Sequence, residues 1–328
     1  MNRPHVQIDQ PSCLESYRRA LDALLPRLAR VPGLVGVTLN GGMSRGYADA
    51  LSEIDLTLFT QGDPALPVAQ GITRVDGFLY DIKVEDYAAC RARPWDMTAL
   101  WDASYAQVLI DPSGRIEAML AEKLAARPSA RDAAGYLFDS WWHFRLAGDI
   151  WKKRGDAAQG HLVLNNAVAP LIAALFAVNG EWVPHEKWLV HFSRSLPWRP
   201  EGWAEGLEAA LRVSAMDAAD LARRQGALET LWRGVDRRAC ALCGWENGLS
   251  ASQQQAYAAL SALAQRGRMP LAAWQARFGA ASLKTEPIFS LAHVADGQVV
   301  LDRERLLRAQ PGDFYDWFYQ VVARVREG

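Results

Sequence analysis

The spacing of apolar residues changes near Ala130, and this change constrains the fold of the chain more than any single motif. Upstream, Leu14, Tyr17, Leu21, Leu24, Leu25 and Leu28 recur at three- and four-residue intervals, which predicts an amphipathic helix over Pro11 to Arg30. Pro32-Gly33 ends it, and Leu34 to Leu39 then reads as a short strand. Ile54 to Phe59 alternates as a half-buried strand does. Asp76-Gly77 joins the runs Ile72 to Val75 and Phe78 to Val84, a hairpin signal. Gln107 to Ile110 gives a further strand before the turn Asp111-Pro112-Ser113-Gly114, and a helix through Ile116, Met119, Leu120 and Leu124 follows.

Downstream the pattern is helical over Tyr136 to Lys153, Leu162 to Val178, Ala218 to Leu242 and Gln253 to Gln265. A hairpin around Asp296-Gly297 and an amphipathic helix from Phe314 to Arg326 close the chain. These patterns predict an α+β chain: a small mixed sheet with flanking helices over residues 1–128, a helical bundle over 129–280, and a hairpin with a helix over 281–328. A length of 328 residues also favours more than one core.

Lys plus Arg total 36 against 37 Asp plus Glu, so no strong positive field is available for coating nucleic acid or a membrane surface. A local basic pocket remains compatible with that balance. No apolar run near the ~20 residues of a bilayer span stands out, and no signal-peptide pattern opens the chain; a cytoplasmic location is expected. Cys240 and Cys243 form a CxxC with no second ligand pair at zinc spacing, so they read as small helix residues. The many tryptophans read as core and cleft-lining bulk.

The stretch that carries chemistry runs from Leu39 to Leu56. A strand enters Gly41-Gly42, a loop returns, and a second strand presents Glu53 and Asp55. Two residues apart on a strand, these carboxylates share a face, while Ile54, Leu56 and Leu58 share the opposite one. Adjacent like charges on one face repel unless a cation lies between them, and a divalent ion serves that purpose. Glycines allow close backbone approach to a ligand, and their N–H groups suit a phosphate. P-loop and dinucleotide fingerprints are absent.

Taken together, Gly41-Gly42, Arg45-Gly46, Ser52 and Glu53-Ile54-Asp55-Leu56 resemble the nucleotidyltransferase superfamily that includes polymerase β and the antibiotic-modifying nucleotidyltransferases. The resemblance implies two Mg²⁺ ions held by Glu53, Asp55 and a third carboxylate on a neighbouring strand. Asp81 lies in the polar phase of such a strand, with Glu85 as the other choice. It implies ATP or another NTP as donor, with Gly41, Gly42, Ser44 and Arg45 at the phosphates. Glu53 stands where Asp is commoner in that family, and its carboxylate reaches about one methylene further.

A second segment, Val178 to Leu189, resembles a stretch in the helical domains of aminoglycoside and lincosamide nucleotidyltransferases, and by that likeness Lys187 contacts the triphosphate. The activity implied is transfer of a nucleoside monophosphate, AMP foremost, to a hydroxyl of a small, aminoglycoside-like molecule. Asp139 and Asp149 are available for cationic amines. Transfer to tRNA or protein, and a catalytically weak nucleotide-binding module, are the alternatives.

Overall fold

In the computed structural model, which describes residues 3–246, 249–284 and 288–308, the change of period near Ala130 separates two kinds of architecture. The chain is α+β and divides into two compact units. One contains the chain up to Pro128 together with Asn179–Trp198; the other contains Ser129–Val178 and the chain from Arg199 onward.

In the first unit, helix α1 (Leu14–Leu28) buries Leu21, Leu24 and Leu28, the stripe expected from its spacing. Strand β1 (Leu34–Leu39) leads into a single helical turn, α2 (Gly41–Ser44), and the chain returns as β2 (Ile54–Thr60). Strands β3 (Gly71–Val75) and β4 (Phe78–Asp86) form the expected hairpin, with Asp76 at φ 51° and Gly77 at φ 88°. Helices α3 (Tyr87–Ala92) and α4 (Met97–Tyr105) follow, capped by the carboxylates of Asp86 and Asp96. Strand β5 (Gln107–Ile110) and helix α5 (Arg115–Lys123) complete the run.

The sheet order is β3-β4-β2-β1-β5; β2 and β4 are parallel, and the other pairs are antiparallel. Helix α1 packs on one face with Val37, Leu39, Ile54, Leu56, Leu58, Tyr80 and Ile82. On the opposite face a smaller cluster gathers Val35, Phe59, Tyr87, Cys90, Ile116 and Met119. Val35 and Val37 would share a face in a regular strand. The register shift between Leu34 and Gly36 accounts for their separation, because a bulge offsets the alternation by one residue. The smaller cluster covers only part of its face, and the cleft described below occupies the remainder.

The segment Asn179–Trp198 groups with this unit and not with the helices on either side of it in sequence. It contains no long helix, only the turn Glu186–Trp188 and the short α10 (Leu189–Ser193), the latter numbered by its place in the chain. Arg3 and Arg127 both pair with its Glu181, His5 and Ser195 exchange two hydrogen bonds, and the Gln7 N–H donates to His191 Nε2 at 2.8 Å.

The second unit is mostly helical. Helix α6 (Ala133–Trp141) passes through a π-helical stretch, Trp142–Ala147, into α7 (Gly148–Arg154), so the single helix expected over Tyr136 to Lys153 carries a widened turn. Asp149 on α7 accepts from Gln225 Nε2 at 2.7 Å and lies 3.3 Å from Lys152. Helices α8 (Ala157–Asn166) and α9 (Val168–Val178) stand where one helix was expected from Leu162. The stretch Ala157–Val178 is long and apolar enough to cross a membrane by length and composition, contrary to the sequence expectation, which Asn165-Asn166 obscures. Its most apolar window is 72% buried inside the structure, as in the core helix of a folded protein.

Helix α11 (Trp203–Leu211) precedes α12 (Ala218–Cys243), which ends at the left-handed Gly244. Cys240 and Cys243 sit in its last turn as free thiols, and burial pushes Cys240 up to about 11. Helix α13 (Ala251–Arg266) begins with a Ser250/Gln253 capping box. Strand β6 (Arg268–Pro270), helices α14 (Leu271–Phe278) and α15 (Ile288–Leu291), the hairpin of β7 (Ala292–Ala295) and β8 (Gln298–Leu301), and α16 (Arg303–Arg308) follow. Their sheet has the order β6-β8-β7, around a core that includes Leu263, Met269, Trp274 and Val299. The helix expected over 314–326 lies outside the described residues.

Candidate active site

Strand alternation builds the site. Ile54, Leu56 and Leu58 of β2 face the core under α1, so Asp55, Thr57 and Phe59 face the other way. On the parallel neighbour β4, Asp81 is the register partner of Asp55, Lys83 of Thr57 and Glu85 of Phe59. Glu53, just before β2, has the same phase as Asp55. These side chains line a cleft of about 530 Å³ together with Gly41, Gly42, Arg45, Asp102, His185 and Lys187, all within the first unit.

Gly41 and Asp55 depend on each other. Gly41 has φ +62°, a left-handed conformation that glycine adopts without a Cβ penalty. A Cβ built there would lie 1.7 Å from Asp55 Oδ2, so the carboxylate occupies the space the missing side chain leaves. The Asn40 N–H donates to the Asp55 carbonyl at 2.9 Å, and Asn40 Nδ2 donates to Thr57 Oγ1 at 2.8 Å, which fix the end of β1 against β2. Gly42 is confined by the returning chain: its carbonyl accepts from the Arg45 and Tyr47 N–H groups, and an added Cβ would meet the Tyr47 carbonyl at 2.9 Å.

Burial raises the Asp55 carboxyl to about 6, reinforced by the charges of Glu53 and Asp81 and opposed by Arg45. Among the described residues, its carboxylate accepts no hydrogen bond. Glu85, the other choice for the third acid, is engaged differently: Arg93 grips both its oxygens, at 2.9 and 3.0 Å, and holds it below the usual carboxylate range. Asp81 is therefore the acid that the register brings to Asp55.

The opposite wall of the cleft comes from α4 and the returning segment. Arg45 is only 4% exposed at its side chain; its guanidinium stacks over Trp101 at 4.3 Å and Nη1 donates to Asp102 Oδ1 at 3.0 Å. Asp102 Oδ2 lies 2.9 Å from His185 Nε2. Lys187 is exposed at the rim, with no carboxylate within 4 Å of its ammonium among the described residues. Ser44 departs from its expected place at the phosphates. It is nearly buried, it does not line the cleft, and its hydroxyl donates to the Gly41 carbonyl at 3.0 Å, bracing the turn. Arg45 likewise serves Asp102 and the aromatic wall in place of an exposed loop position.

No family model matches the chain, and no curated protein matches it. Among solved structures, the chain is similar to a nucleotidyltransferase-like protein from Exiguobacterium sibiricum. The two share 11% identity over 86% of this chain and 97% of that one, with a TM-score of 0.45. The chemistry of the cleft has to be read from its own residues.

A hard divalent cation fits those residues. Asp55 and Asp81 sit side by side in register on β2 and β4, Glu53 shares their phase, and the missing Cβ of Gly41 leaves room for the Asp55 carboxylate. Among the described residues, no three Asp, Glu, His or Cys side chains are grouped closely enough to hold a metal ion by themselves. Mg²⁺ does not require one, because it usually takes one or two carboxylates and completes its octahedron with water and substrate phosphates.

Sequence reasoning missed Asp102, Trp101 and Lys83. Trp101 and Asp102 lie on α4, whose start was signalled by Asp96 in an N-cap position ahead of Met97-Thr98-Ala99-Leu100.

Proposed function

We propose that the first unit is a Mg²⁺-dependent nucleotidyltransferase site, moving a nucleoside monophosphate from an NTP, ATP foremost, to a hydroxyl of a small, aminoglycoside-like molecule. The observation that carries this reading is the seating of the Asp55 carboxylate in the space left by Gly41, with Asp81 in register beside it on a parallel strand. Burying a carboxylate without a hydrogen bond, next to two more carboxylates, costs stability that a structural role does not return.

Glu53, Asp55 and Asp81 would hold Mg²⁺, which supplies charge neutralisation for the triphosphate and the departing pyrophosphate. The chain contributes the rest. Lys187 and Lys83 both line the cleft and bring positive charge to it, which a polyanion needs. The Gly41-Gly42 turn lets a phosphate approach the backbone closely. Trp188 offers an aromatic surface on the cleft wall for a base or ring.

The test is pyrophosphate release from each of the four NTPs with Mg²⁺, against a panel of aminoglycosides, lincosamides and bulk tRNA, with Asp55→Ala alongside. Release that requires one acceptor and falls about 10³-fold or more in the variant is the expected outcome. Mg²⁺-dependent NTP binding without release would reduce the site to a binding module, and no NTP binding would remove the reading altogether.

A further inference from the structure

We infer that His185 is the proton acceptor for the incoming hydroxyl, and that Asp102 positions it. The inference rests on the nucleotidyl-transfer reading and adds a base that the carboxylate motif does not contain.

Most polar groups of the cleft are already engaged. On that reading Glu53, Asp55 and Asp81 serve the cation. Glu85 is held by Arg93. Asp49 accepts from Tyr47, Leu51 and Ser52, and the Tyr47 hydroxyl is spent on it. Cys90 is buried away from water, which raises its thiol. Arg45, Arg93, Lys83 and Lys187 are cations. Among the described cleft residues, His185 is the base that remains.

Its geometry suits the task. A carboxylate only accepts hydrogen bonds, so at 2.9 Å from Asp102 Oδ2 the His185 Nε2 carries the hydrogen. The neutral ring then keeps its lone pair on Nδ1, which has no hydrogen-bond partner among the described residues. The ring lines the cleft with its side chain 38% exposed, and packs edge-on against buried Trp101 at 5.5 Å. Asp102 is fixed in turn by buried Arg45 on its other oxygen. A base oriented by a third group is the arrangement that general-base catalysis uses. Arg45 directly follows the turn that seats Asp55, so the base and the carboxylates are anchored to one short loop.

The step balances. As the acceptor oxygen bonds to the α-phosphorus, its proton passes to His185 Nδ1. The bond from the α-phosphorus to the bridging oxygen breaks, and pyrophosphate leaves with that electron pair. The imidazolium faces the Asp102 carboxylate and then gives its proton to water.

The experiment uses the full chain and two variants, H185Q and D102N, with Mg²⁺-ATP as donor and kanamycin, lincomycin or water as acceptor. Three quantities are measured: ATP affinity by calorimetry, pyrophosphate release against pH, and the His185 tautomer by ¹⁵N NMR. The wild type should show the Nε2–H tautomer. H185Q should keep its ATP affinity within about twofold and lose about 10²–10⁴-fold in rate.

D102N sharpens the test. Arg45 only donates, so it will hold the amide oxygen and turn the amide NH₂ toward His185 Nε2. That forces the hydrogen onto Nδ1 and removes the lone pair from the cleft, so the tautomer should switch and the rate should fall with the ring still present. A wild-type Nδ1–H tautomer, or H185Q turnover within threefold of wild type, would overturn the assignment. Mg²⁺-ATP bound by the wild type, but with no pyrophosphate released to any acceptor, would overturn it too. Failure of the wild type to bind Mg²⁺-ATP would instead sink the transferase reading itself.

Discussion

Asp55 in the cleft and Asp236 in the helical unit are both pushed up to about 6, chiefly by burial, yet the two regions treat that burial differently. Asp236 accepts the Ala251 N–H at 2.7 Å, at the start of α13, and has Arg233 and Arg237 nearby. Its carboxylate joins two helices and is compensated where it sits. Among the described residues Asp55 has no such donor, and Arg45 opposes the charges of Glu53, Asp81 and Asp102 around it. The difference separates a carboxylate compensated by a helix N–H from one left without such a donor, a distinction that the shifted acidity alone does not make.

Replacing each acid by its amide should break the symmetry most clearly. Asp55→Asn should lose turnover by about 10³-fold or more, together with the Mg²⁺-ATP-dependent rise in melting temperature. Asp236→Asn should leave Mg²⁺-ATP affinity within about twofold. Both folded values lie above the ordinary 3.8, so each group adds stability that is complete below about pH 4 and lost as pH rises through about 6. For Asp236 the loss should be on the order of 3 kcal/mol across that range. Denaturation curves between pH 4 and pH 8 should therefore flatten in both variants. Mg²⁺ should restore wild-type stability near neutral pH, and fail to do so in Asp55→Asn.

A glycine pair sharpens the same contrast. Gly41 and Gly46 both have positive φ, but a Cβ at Gly46 meets nothing within 4 Å. Gly46→Ala should cost about 1–2 kcal/mol from backbone strain alone. Gly41→Ala carries that cost plus displacement of Asp55, and should cost at least about twice as much while lowering turnover by about 10²-fold or more. Equal losses at the two sites, by urea melts and pyrophosphate release, would show that Asp55 is not held by the turn.

The smallest effect belongs to Ser44. Removing its hydroxyl in Ser44→Ala should cost about 1 kcal/mol of stability, because only the brace on the Gly41 carbonyl is lost. Mg²⁺-ATP affinity should stay within about threefold. A larger drop in calorimetry would return Ser44 to the phosphates.

Much of the first unit was legible because its signals are local. The stripe of α1, the Asp76-Gly77 turn and the two-residue spacing of Glu53 and Asp55 are short-range patterns. Strand parity alone placed Asp55 and Asp81 on polar faces, but only the parallel β2/β4 pairing sets them side by side. The opposite wall was not legible. Asp102 meets Arg45 and His185 across large sequence separations, and no pattern in a single chain encodes such a meeting. The π-helical stretch at Trp142–Ala147 and the break at Ala167 escaped for another reason: both leave the apolar spacing nearly intact.

The first unit is written in two pieces, with residues 129–178 between them. During synthesis the ribosome delivers Glu53, Asp55 and Asp81 well before it delivers His185 and Lys187. The early fragment ends at Pro128 with the sheet and α4 made, and with Glu181, the partner of both Arg3 and Arg127, still unmade. A nascent chain halted there would display Glu53, Asp55 and Asp81 without His185 or Lys187. Completion of the cleft is thereby tied to translation of the helices in between, and termination before His185 leaves its lining without His185, Lys187 and Trp188.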